Sequence, residues 1–125
     1  MQDNAEARIK QDLFGEIQIL EQNYSVIKNF LSGEDDVAAI GETIESFKNS
    51  LSRASAFVLA LYNLKGKQVN IPWEPLFTSL DYALATTTIS SATKQKAAVK
   101  TILAMSESQI EQVLSYFSAL KESLK

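Results

Sequence analysis

Residues 37–64 read VAAIGETIESFKNSLSRASAFVLALYNL, and this stretch decides the fold. Its apolar residues are separated by alternating gaps of three and four, which is the pattern of a helix that packs along its whole length against another helix. The residues with this spacing are Val37, Ile40, Ile44, Phe47, Leu51, Ala54, Val58 and Leu61. The pattern therefore predicts one long helix that ends near residue 64.

The residues before this stretch carry a matching apolar stripe. Between about Asp3 and Leu31 the gaps are again three or four, and the residues are Ile9, Leu13, Ile17, Leu20, Tyr24, Ile27 and Leu31. Gly15 is the interior position that weakens this helix, by roughly 1 kcal/mol relative to alanine. Ser32 and Gly33 predict its end, and the acidic residues 34–36 suit the positive N-terminal end of the next helix. The two stripes together predict a long N-terminal helical hairpin.

The residues after the hairpin predict two or three further helices. Gly66, between two lysines, predicts a left-handed cap, and Pro72 is expected in the first turn of a third helix that runs to about Ala85. Serines and threonines between residues 86 and 93 predict a break, with Ser90 or Ser91 as the cap of a fourth helix.

The last part of the chain leaves the number of helices open. Ser106 with Gln109 three residues later fits a capping box, which favours a separate fifth helix. Five residues are expected on the inner side of the fourth helix, namely Ala97, Ala98, Ile102, Leu103 and Met105. The four tyrosines fall in or beside apolar stripes, and we expect each ring in the core with its hydroxyl at the rim. The predicted fold class is an all-α, up-down helical bundle of four or five helices.

The size and composition predict one folded domain that covers residues 1–125. Hydrophobic residues make up 46% and charged residues 22% of the chain, which is ordinary globular usage. The net charge is −3, the twelve Lys and Arg residues are scattered, and no apolar run approaches the ~20 residues of a membrane span. We therefore expect a cytoplasmic protein that does not enter a membrane and for which nucleic acid is not the main partner.

Two missing residue types restrict the chemistry. The chain has no histidine and no cysteine, so the commonest general base and the commonest zinc ligands are absent. It also lacks the glycine-rich loops that hold nucleotide phosphates. An all-carboxylate site for Mg²⁺ or Ca²⁺ at residues 34–36 and Glu42 is an alternative, but a solvated helix start explains those acids better. We predict no enzymatic activity, no catalytic residue, no cofactor and no metal.

The end of the second helix predicts a function in protein binding. Residues 54–64 leave almost no polar face, so the chain's own helices or a second subunit should cover them. The candidate interface consists of Phe57, Leu59, Tyr62 and Leu64. We predict a non-catalytic protein–protein interaction module of bacterial or phage style, such as an adaptor, inhibitor, immunity or assembly protein, that is able to form a homo-oligomer.

Two other functions stay open at this point. The first is a small regulatory subunit that contacts nucleic acid within a larger complex through a basic patch of Lys94, Lys96 and Lys100. The second is a carrier of an apolar ligand, held between the helices near Phe57, Leu61, Trp73 and Phe77.

Overall fold

The computed structural model describes residues 2–33, 37–71, 73–87 and 92–125, which form four helices and no strand. The helices are α1 (Gln2–Leu31), α2 (Val37–Leu64), α3 (Glu74–Thr86) and α4 (Ala92–Leu124). The predicted all-α bundle is confirmed, and its helices number four. Residues 34–36, Pro72, Ser90 and Ser91, from which helix starts were predicted, lie outside the described residues.

The four helices form an up-down bundle in which each helix occupies one corner of a square. Helices α1 and α3 each pack against both α2 and α4. Asn23 donates a hydrogen bond to Ser46 over 3.0 Å, and Glu16 accepts one from Ser50 through its backbone oxygen, also over 3.0 Å. Residue numbers that rise along α1 therefore meet falling numbers on α2. The predicted antiparallel hairpin is confirmed.

The predicted seam of α2 forms one wall of the core. Every seam residue from Ile40 to Leu61 is buried, while Val37 at the start is half-buried. Phe30, Phe47 and Phe117 are the largest of the fully buried side chains. The helices are thus held together by apolar packing of the kind that their spacing predicts.

Helix α4 continues through Ser106, so the bundle has four helices and the capping box that favoured a separate fifth helix is not formed. Ser106 is 1% exposed, and its hydroxyl donates to the backbone oxygen of Ile102 over 2.8 Å. A capping serine would instead accept a hydrogen bond from an amide farther along the chain. The seam of α4 has gaps of four and three through this position, in the order Val99, Leu103, Ser106, Ile110, Val113 and Phe117. Ser106 is a small core residue whose hydroxyl is satisfied by its own helix.

The end of α2 and the start of α3 are fixed by backbone geometry. Gly66 has a φ of 69°, and the Lys67 amide donates to the Tyr62 oxygen over 2.9 Å, as in a Schellman motif. The predicted glycine cap is confirmed. Helix α3 begins at Glu74, and Pro75 is the proline of its first turn, where Pro72 had been expected. Proline suits this turn because its amide would have no acceptor there.

The hydroxyl of Tyr24 links α1 to α4. Its ionisation makes the free energy of unfolding depend on pH in the alkaline range. The hydroxyl donates to Glu111 over 2.7 Å. Burial, this hydrogen bond and the negative charges of Glu107 and Glu111 raise the pKa of Tyr24 far above its usual value. The unfolded chain should lose this proton near pH 10 while the folded chain keeps it, so the stability contributed by Tyr24 is complete below about pH 10 and falls above it.

We expect the free energy of unfolding to fall less steeply above pH 10 in Tyr24→Phe than in the wild type, measured by urea denaturation at a series of alkaline pH values. Tyr82→Phe is the matched control, because Tyr82 is 65% exposed. Equal alkaline slopes for Tyr24→Phe and the wild type would contradict this assignment.

Candidate protein-binding groove

The two most exposed large apolar side chains of the described residues lie together. Tyr82 on α3 is 65% exposed and Met105 on α4 is 78% exposed, and both line one groove between the two helices. The groove has a volume of about 340 Å³ and opens to solvent. Single exposed apolar residues are ordinary on protein surfaces, whereas neighbouring ones indicate a binding surface.

The helical spacing of the two walls places these side chains at the rim. Helix α3 contributes Ser79, Tyr82, Ala85 and Thr86, and α4 contributes Ile102, Met105 and Ser106. Residues between these positions, such as Leu80, Ala83 and Leu103, are fully buried and anchor both helices to the core. The groove is therefore built on two packed helices, which hold its shape better than a loop would.

The groove is chemically apolar although it contains hydroxyl groups. The Thr86 hydroxyl donates to the Ala83 oxygen over 2.7 Å, and the Ser106 hydroxyl donates to the Ile102 oxygen. Both hydroxyls are thus occupied by their own helices. None of the described residues that line the groove is charged. Its surface can bury apolar side chains.

Sequence reasoning missed both rim residues. Met105 was predicted on the inner side of its helix and Tyr82 in the core, and both predictions are wrong. Met105 precedes the seam residue Ser106, so the side chain that faces inward at this level is the serine. Tyr82 likewise precedes the buried Ala83. For Met105 the available signal was the seam of α4, because Leu103 and Ser106 continue its spacing and leave residue 105 outside it.

The structure places the sequence-predicted interface on more than one face. Leu59 and Leu64 are each 41% exposed, but a separation of five residues puts them about 140° apart around α2. Phe57 and Tyr62 are partly buried against the core. Phe57 lines a depression beside α1, whereas Tyr62 lines a pocket at the end of α2 and α4. The four residues therefore do not form one patch, and their role as an interface stays a prediction.

The predicted basic patch is only partly described. The Nζ atom of Lys100 lies 5.4 Å from the centre of the Phe30 ring, in a cation–π contact between α4 and α1. Lys96 is half-buried, and the side chain of Lys94 lies outside the part that the structure describes. Lys100 thus has a structural contact within the bundle, and the role of these lysines in binding nucleic acid stays a prediction.

The residues proposed to hold an apolar ligand are packed against the core in different places. Leu61 is 3% exposed and lines the end pocket, while Phe57 lines the separate depression beside α1. The Trp73 ring packs against aromatic neighbours. Its centre lies 5.4 Å from the centre of the Tyr116 ring, in an edge-on arrangement. These positions do not converge on one shared cavity.

The described residues contain neither a cluster of metal-ligating side chains nor a membrane-spanning helix. No group of three or more metal-ligating side chains is close enough together to hold a metal ion. Across the same ranges, none of the helices is long and apolar enough to cross a membrane.

Fold and groove together define an all-α, four-helix bundle with an uncharged, apolar groove on one side. Comparisons with protein-family models, with curated proteins and with solved structures found no match.

Proposed function

We propose that this chain is a non-catalytic protein-binding module, and that a partner protein buries apolar side chains in the groove between α3 and α4. The observation that carries the proposal is the juxtaposition of Tyr82 and Met105, both largely exposed, over a surface without charge. Adaptors, inhibitors, immunity proteins and assembly proteins all act by this kind of binding.

The two rim residues suit such a surface in complementary ways. A tyrosine ring supplies a large contact area while few rotatable bonds must be fixed, and tyrosine is enriched among residues that dominate binding energy. A methionine side chain is flexible and adapts to the shape of its partner. The groove therefore combines one rigid and one adaptable contact.

The geometry favours an amphipathic helix as the docking element of the partner. The groove runs between two antiparallel helices, and an additional helix can lie in it with apolar residues spaced at i, i+3, i+4 and i+7. Its polar face would remain in solvent. The uncharged lining predicts that binding depends only weakly on salt.

The test compares partner recovery from the native host by the wild type and two matched double variants. Tyr82→Ala with Met105→Ala removes the groove rim, while Leu59→Ala with Leu64→Ala removes two other exposed apolar residues, each 41% exposed. We expect the groove variant to lose at least 30-fold in affinity for a partner that the control still binds, which corresponds to about 2 kcal/mol. Both variants should keep the wild-type helical content and unfold within ~1 kcal/mol of the wild type, since each carries two surface substitutions.

Other results would contradict the proposal. A partner that binds the groove variant as tightly as the wild type would overturn it. Loss of binding in the Leu59 and Leu64 variant alone would move the interface to the end of α2, where the sequence first placed it.

A further inference from the structure

An ion pair joins α1 to α2 on the outer face of their hairpin. This face lies on another side of the bundle from the groove. The Nε atom of Arg53 donates to the carboxylate of Glu16 over 2.7 Å and 3.1 Å. Glu16 is 8% exposed, whereas the side chain of Arg53 is 53% exposed. The arginine thus satisfies a nearly buried acid and still presents much of its guanidinium at the surface.

On this face, helix α1 has a shallow depression at Gly15 and a protruding side chain at Val26. A Cβ atom added at Gly15 would meet nothing within 4 Å, so packing within the chain does not require glycine there. Val26, by contrast, is 37% exposed. The two positions are eleven residues apart, which is close to three helical turns, so they lie on the same side of α1 about 16 Å apart. Ile19 lies between them and is half-buried.

Helix α2 repeats this separation with two opposite charges. Glu42 is exposed and has no ion pair among the described residues, and it lies eleven residues before Arg53 on the same side of α2. The contacts of Asn23 with Ser46 and of Glu16 with Ser50 set the relative height of the two helices. They place residues 20–21 of α1 level with residues 47–48 of α2. These are the midpoints of the two pairs, so both pairs are centred at one height.

We propose that this face binds a second copy of the chain, antiparallel, about a two-fold axis that crosses the hairpin at that height. One rotation then brings Val26 over Gly15 of the second copy and Arg53 opposite Glu42 of the second copy, each twice. A two-fold interface requires a surface that is complementary to itself. Here the same rotation brings the protruding Val26 side chain to the depression at Gly15 and the cation to the anion. This self-complementarity is the argument for a second copy as the occupant.

The contacts have separate roles. Glycine lets the backbones of two helices approach closely, and Val26 then fills the space that a side chain at position 15 would occupy. Ile19 lies near the axis and meets Ile19 of the second copy. The two charge pairs fix the register and make association sensitive to salt.

Crosslinking tests the register directly, because the chain contains no cysteine. In the proposed dimer, positions 15 and 26 face each other across about 8–10 Å between helix axes, whereas each position is about 16 Å along the axis from its own counterpart. A short thiol crosslinker should therefore join Gly15→Cys to Val26→Cys in a mixture, giving a product of twice the 13.8 kDa chain mass. It should not join either variant to itself. No product in the mixture, or efficient crosslinking of Gly15→Cys alone, overturns the proposal.

Sedimentation equilibrium tests the charge pair with a matched control. Glu42→Arg places two arginines opposite each other and should weaken dimerisation at least tenfold. Glu21→Arg makes the same change in net charge at an exposed position on the other edge of α1, beside α4, and should leave the dimer unchanged. A wild type that stays monomeric at every concentration, or equal weakening by both variants, overturns the proposal.

The groove variants separate this inference from the proposed function. Tyr82→Ala with Met105→Ala should abolish partner binding and leave dimerisation at the wild-type level. Loss of the dimer in that variant would place the self-contact in the groove and overturn the hairpin interface.

Discussion

Replacing Phe117 by alanine should lower the free energy of unfolding by about 3–5 kcal/mol. Phe117 is fully buried on α4, and its ring centre lies 5.2 Å from that of Tyr116 and 6.3 Å from that of Trp73. Removing it deletes a large apolar contact and leaves a cavity that the surrounding helices can fill only in part. A domain of this size is typically stable by roughly 5–15 kcal/mol, so this loss would be a large share of the total.

Urea denaturation followed by fluorescence and by circular dichroism measures this change. The chain has a single tryptophan, so fluorescence reports on the surroundings of Trp73, while circular dichroism reports on all helices. Tyr82→Ala is the control, because it also removes an aromatic ring but at a position 65% exposed, and we expect a change within ~0.5 kcal/mol. A loss below about 1 kcal/mol for Phe117→Ala would show that this ring is not part of a packed core.

The sequence was sufficient for the helices that have an unbroken apolar seam. The seam of α2 was read residue by residue, and every member from Ile40 to Leu61 is buried. Such a seam is visible in sequence because the helical period alone determines which residues share a face. The glycine cap at Gly66 was predictable for a similar reason, since its positive φ is a local property of the chain.

The sequence signals and the structure of α4 differ around Ser106. Ser106 is polar and precedes Gln109 by three positions, so local rules favour a cap, whereas the packing of the bundle uses it as a small seam residue. The neighbouring Met105 was assigned to the inner side of the fourth helix. Once the helix continues, Met105 points outward and forms the groove rim with Tyr82. Tertiary packing therefore outweighed a local capping signal.

The exposed surfaces could not be derived from the sequence because they depend on how the helices are placed in the bundle. Both the choice of packed neighbours and the relative height of the helices matter. Residues 54–64 are almost entirely apolar, yet Leu59 and Leu64 remain 41% exposed because α2 occupies one corner of the square and packs mainly against α1 and α3. The coincidence of the Gly15–Val26 and Glu42–Arg53 midpoints likewise follows from contacts between α1 and α2 that no periodicity specifies.

Replacing Glu107 by proline should also be strongly destabilising, by about 3 kcal/mol or more. In a continuous α4 this position lies in a helix interior, where proline removes a backbone hydrogen bond and its ring clashes with the carbonyl one turn earlier. If Ser106 capped a separate helix, Glu107 would be the first helical residue, at which proline is favoured. The same substitution thus has opposite consequences for the two arrangements.

Glu107→Ala separates the backbone effect from the loss of the side chain. Glu107 also acts on Tyr24 through its negative charge, and both variants remove that charge equally. Alanine keeps the amide hydrogen and favours a helix, so we expect Glu107→Ala to unfold within ~1 kcal/mol of the wild type. The difference between the two variants in urea denaturation then measures the cost of interrupting α4. A difference below about 1 kcal/mol would indicate a break at Ser106, and with it the burial of Ser106 and the position of Met105 at the groove rim would both be in error.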